Sequence, residues 1–92
     1  MGTFHHDKSE LHGITVVVKT DGDEVYVGRC DDMDDQRIIL LDADCHRDGE
    51  DGRSTTEYLE RAARFGIWKK FDRLAISRTS ATTVLRLAEL AE

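Results

Sequence analysis

The side chains best equipped for chemistry fall into separate clusters. Trp68, Lys69, Lys70, Phe71, Arg73 and Arg78 set cations beside aromatic rings. Such interleaving suits single-stranded nucleic acid, with rings stacking on bases while cations meet phosphates. The blander reading has Trp68 and Phe71 anchoring a preceding helix while the lysines reach past them into water. Asp44, His46 and Asp48, followed by Gly49, alternate like a calcium loop. The closing ligand position falls on Thr55, which has no carboxylate, so a solvated loop is expected instead. Cys30 with Cys45-His46, or His5-His6 with Asp7, supplies zinc-ligand types without paired CxxC or HxxxH spacing. Asp31, Asp32, Asp34 and Asp35 crowd carboxylates into one stretch, and such a turn is expected to be fully wet. No nucleophilic triad and no phosphate-cradling glycine loop can be read. The expectation is therefore a protein that is not an enzyme, with no catalytic residue, no metal and no cofactor.

The totals bound what can position these groups. The chain has 92 residues, enough for one domain, and a domain of that size hides roughly 60–70% of its unfolded surface. The formal net charge is −6, which disfavours free nucleic acid unless a local basic patch prevails. Charge is also segregated. Asp21 to Gly52 is dominated by acids, and Arg53 to Arg78 by Arg53, Arg61, Arg64, Lys69, Lys70, Arg73 and Arg78. Opposite regions of this kind can attract copies head to tail. Two cysteines, Cys30 and Cys45, are too few for a disulfide scaffold. No apolar run reaches membrane length and no signal-peptide core is present at the N-terminus, so a cytoplasmic setting without a membrane partner is expected.

The chain organises around Ile14 to Leu41. A strand over Ile14–Thr20 contains Val16-Val17-Val18, a continuous apolar run expected to be covered on both faces. Gly22 marks a turn, where positive φ is available to it. A second strand, Glu24–Asp31, puts Val25 and Val27 on one face and Tyr26, Gly28 and Cys30 on the other. Gly28 marks a bend or bulge, the device a short sheet needs to curl. Asp32–Gln36 is a turn, Arg37–Asp42 a third strand, and Ala43–Gly52 a mobile charged loop. Ser54 and Glu57 form a capping box, opening a helix that places Tyr58, Leu59, Ala62 and Ala63 on one stripe and ends at Gly66. Glu57–Arg61 and Glu60–Arg64 are oriented as i,i+4 pairs. Ile67-Trp68 reads as an apolar plug. Asp72–Ser77 is a fourth strand with Leu74 and Ile76 inward. Thr82–Leu87 is read as a fifth strand followed by a frayed end, and a helix from Ser80 to Glu92 is the competing reading.

Val16, Val18, Tyr26, Gly28, Met33, Asp34, Ile38 and Leu40 together resemble the first motif of the Sm-like proteins. That motif has an alternating strand, an aromatic residue two before a glycine, an acidic turn and an apolar strand. Leu74 to Arg78 with Thr82–Leu87 resembles the shorter second motif. The resemblance covers about half the chain. It implies a mainly β fold: a five-stranded, strongly bent Sm-like (SH3-like) small barrel with one inserted α-helix. The arm would be 1–13 and the barrel 14–92, with the helical insertion at about 53–66. It also implies assembly, since in such barrels the fourth strand of one copy pairs with the fifth of the next. The sequence departs from the RNA-binding pattern: Gln36 and Arg37 stand where an asparagine is usual, and Ser77, Arg78 and Thr79 where an arginine–glycine pair is usual. Of these only Arg78 keeps a role the resemblance implies, as a phosphate or base-stacking contact; the candidate nucleic-acid contacts are Lys69, Lys70, Arg73, Arg78, Trp68 and Arg37. The functional expectation is a homo-oligomeric ring or edge-paired scaffold, with RNA binding as the alternative.

Overall fold

A computed structural model describes residues 12–91. Most of the N-terminal arm, with the His5-His6-Asp7 set, lies outside them. The elements are β1 (Thr15–Thr20), β2 (Glu24–Met33), β3 (Arg37–Arg47), a 3-10 turn (Glu50–Gly52), α1 (Thr55–Phe65), β4 (Phe71–Ser77), β5 (Ala81–Arg86) and a second 3-10 turn (Leu87–Ala91). The strands form one antiparallel sheet in the order β4-β3-β2-β1-β5.

The valine run explains why β1 is central. Val16, Val17 and Val18 are all fully buried. Val16 and Val18 enter one core with Cys30, Ile38, Leu40, Ala43 and Ile76. Val17 enters another with Val25, Val27, Leu59, Ala62 and Leu87. The sheet is therefore coated on both faces, once by its own curl and once by α1 and the last 3-10 turn. The turn after β1 does not use positive φ at Gly22. Thr20 closes it instead, its hydroxyl donating to the Glu24 carbonyl and accepting from the Gly22 amide.

The bend sits at Gly28, where the β2–β3 register shifts between Val27 and Arg29. A Cβ on Gly28 would lie 3.0 Å from the Ala43 Cβ and 3.1 Å from its Cα. Glycine lets β3 cross this close without pressing on Ala43. Across the bend, Asp42 takes a left-handed φ of 51°, a conformation that aspartate tolerates better than most residues. Its carboxylate is held by Arg29 at 3.2 Å and Lys69 at 3.7 Å.

Two expectations need correction here. Residues 43–47 do not join a charged loop but continue β3, with Asp44 opposite Val27 and His46 opposite Val25. Ala43 is fully buried, and the sheet's backbone bonds outweigh the loop-like composition of the segment. Among the described residues, the segment after β5 is also not frayed: Leu87 and Leu90 turn into the core under α1.

The rest of the element pattern follows the sequence. Ser54 and Glu57 form the capping box, and Gly66 ends α1 with φ at 85°. Among the described residues, neither Glu57–Arg61 nor Glu60–Arg64 closes. The Glu57 carboxylate serves the cap, and Arg61 lies over the Phe65 ring at 5.8 Å. No ladder joins β4 to β5 among the described residues. Leu74 to Ser77 face Thr20, Tyr26 and Ser80 across a hollow of about 190 Å³.

Candidate interaction groove

The extension of β3 and the tilt of α1 enclose a groove of about 320 Å³. Its floor is polar. Asp44 is only 7% exposed, and its Oδ2 accepts a 2.7 Å hydrogen bond from the Tyr58 hydroxyl. Asp44 Oδ1 is buried with no hydrogen-bond partner. The Lys70 ammonium stands 3.6 Å away from it, close enough for charge attraction but too far for a hydrogen bond. Lys70 instead donates to the Cys45 carbonyl at 3.2 Å.

His46 forms one wall. Its ring stacks on Tyr58, centroids 4.4 Å apart and planes 5° from parallel. Its Nε2–H donates to the Arg53 carbonyl at 3.1 Å, and Nδ1 lies 3.8 Å from Glu50 Oε1. The 3-10 turn that carries Glu50 is held in place because Glu50 Oε1 also accepts from the Arg47 amide. Asp48 reaches the N-terminus of α1, accepting from the Thr55 amide at 2.9 Å. The calcium-like triplet is thus dismantled into a buried acceptor, a stacked ring and a helix cap. No group of three metal-ligating side chains gathers among the described residues.

These surroundings move the protonation equilibria. Burial and the hydrogen bond to Asp44 push the Tyr58 phenol far above its ordinary range. Burial works against the charged form of Lys70, but Asp44 and Glu50 outweigh it and the ammonium is held above its ordinary value. Burial raises the Cys45 thiol, which keeps it protonated and unreactive. Cys30, buried in the first core, is raised for the same first reason.

The rim is aromatic. Trp68 is 90% exposed and Phe65 77% exposed. The expected plug is therefore half right: Ile67 packs into the second core, whereas Trp68 turns outward.

The six candidate nucleic-acid contacts do not share one place. Trp68, Lys69 and Lys70 precede β4, while Arg37 and Arg78 lie at its far end, where Arg37 pairs with Ser77. A seven-residue strand separates the two ends by about 20 Å at the usual rise per residue. Arg73 lies between them, opposite Leu41. Lys69 is committed to Asp72 at 2.8 Å, and the Arg78 guanidinium donates to the Asp34 carbonyl. The acidic turn is knitted rather than simply wet, since Asp34 accepts from the Gln36 and Arg37 amides. The Asp44–Tyr58 pair went unread because nothing local joins two residues fourteen apart in sequence.

No protein-family model matches the chain, and no curated protein matches it. Solved structures do resemble it in shape. The Sm protein of Pyrococcus abyssii, determined in complex with a uridine heptamer, superposes with a TM-score of 0.59 at 15% identity, over 85% of this chain and 89% of that one. A chain of the NatC complex bound to Gag peptide and CoA gives 0.59 at 18% identity, over 89% and 93%. A chain of the NatC complex bound to CoA gives 0.57 at 18%, over 90% and 92%. Strand order, bend and coverage agree on one conclusion: this chain folds as an Sm-like small barrel.

Proposed function

We propose that the chain is a non-enzymatic Sm-like module that assembles with copies of itself through its sheet edges and serves as a scaffold. The observation that carries this reading is the open pair of flanks. β4 and β5 each have a ladder partner on one side only, which leaves a row of backbone donors and acceptors on the other. Free edges recruit strands unless they are blocked, and β4 and β5 are of similar length, seven and six residues. A closed ring of copies satisfies both edges with one repeated contact. Light scattering on the purified chain tests this directly. A multimer mass supports it, and a strict monomer across the accessible concentration range removes it.

Nucleic-acid binding is the second reading. It draws on exposed Trp68 next to Lys69 and Lys70 and on the uridine heptamer bound by a protein of the same fold. The acid partners of both lysines weaken it. Titration with short oligouridine at low and high salt decides the matter, because phosphate contacts give a salt-dependent affinity. Lack of any binding at low salt eliminates this reading.

A further inference from the structure

We propose that the Asp44 groove is a docking site for a lysine side chain presented by a partner polypeptide. Asp44 is a buried carboxylate in the groove lining, with one oxygen bonded by Tyr58 and the other facing the Lys70 ammonium without a hydrogen bond. Buried acceptors without partners are rare in folded proteins. An ammonium delivered through the groove supplies what Oδ1 lacks, a charge-assisted hydrogen bond.

The chain itself shows which charge the site takes. Lys70, half exposed, already leans toward Oδ1 without completing the bond. It acts as a resident placeholder that an incoming ammonium displaces into water. Arg53 and Arg61 offset Glu50 and Asp51 in the lining, so the pull on an ammonium comes from Asp44 itself; Trp68 offers its ring to the methylene stem, while Phe65 already carries Arg61 over its ring. The volume of about 320 Å³ suits one long side chain with adjoining backbone. A small free amine would leave the two exposed rings uncovered, and large exposed aromatics beside a polar pocket are what protein partners bury. None of the lining residues belongs to β4 or β5. The site therefore stands whether or not copies pair along those edges.

Trp68 is the only tryptophan in the chain, so its emission reports on the rim. The test titrates the full chain with a blocked glycine pentapeptide carrying a central lysine, and with its norleucine counterpart. The expected result is a saturable emission change with the lysine peptide and none with norleucine. Asp44→Asn keeps an acceptor for Tyr58 but removes the charge, and should weaken binding about tenfold or more. Lys70→Gln removes the resident competitor and should tighten binding several-fold. Equal binding of both peptides overturns the proposal, as does absence of binding. So does unchanged affinity in a natively folded Asp44→Asn variant, or weaker binding by Lys70→Gln, which would show that Lys70 supports the site and does not compete for it. If Asp44→Asn melts early, the exposed Lys70→Gln variant decides alone.

Discussion

At the scale of single residues, the most consequential contact is the hydrogen bond from Tyr58 to Asp44. Tyr58→Phe keeps the ring that stacks on His46 but leaves the carboxylate with no hydrogen-bond donor at either oxygen. An unsatisfied buried acceptor costs about 1–3 kcal/mol, so urea unfolding should show a loss of that size. The Lys70 ammonium nearby would soften it. Glu50 carries a pH effect of definite sign. The Arg47 amide and, after it, Lys70 hold its carboxyl below the ordinary value of 4.5. A depressed folded pKa contributes stability that is present above the unfolded value and lost as pH falls through the folded one. Acid should therefore release the Glu50–Gly52 turn below pH 4.5, and amide exchange at Arg47 should report it. Glu50→Gln should remove the transition; an identical acid response in that variant would rule out the carboxylate as its cause.

At the scale of elements, two junctions decide the fold. Gly28→Val places a side chain into Ala43 backbone at a spacing that real Cβ atoms rarely show. Overpacking of this kind costs typically 1–3 kcal/mol or more, and here it also blocks the bend. The variant should unfold at markedly lower denaturant, and an unchanged midpoint would show that β3 can slide away. Ser54→Ala removes the reciprocal cap of α1 and should lose about 1 kcal/mol with the sheet intact. Far-ultraviolet dichroism against denaturant measures both. The bend and the cap were legible beforehand because each rests on local signals: a glycine inside an alternating run, and a serine three before a glutamate. The valine run likewise announced a strand covered twice. The length of β3 was not legible, because Asp42, Asp44, Asp48 and Glu50 make the segment look like surface. Burial of Asp44 depends on Tyr58 and Lys70, which lie far along the chain, and no local pattern encodes that. The outward turn of Trp68 escaped for the opposite reason, since apolar residues at a helix exit usually pack and this one does not.

At the scale of the whole molecule, segregated charge and free edges make different demands on assembly. If copies join through ladders on β4 and β5, the thermal midpoint should rise with protein concentration, because association stabilises the folded form by mass action. The rise should persist in high salt, where attraction between acidic and basic surfaces is screened. Calorimetry at several concentrations and two ionic strengths separates the cases, and a midpoint independent of concentration would argue for a lone barrel.

Leu87 and Leu90, in the last described turn, lodge under the helix that began at Thr55. During translation, Leu59 and Ala62 leave the ribosome well before the residues that shelter them. The outer face of the sheet stays greasy until Leu90 has cleared the exit tunnel. Nascent chains stalled at Arg86 should therefore attract chaperones that chains stalled well past Leu90 escape, and the turn over Leu87–Ala91 acts as the latch that closes the second core.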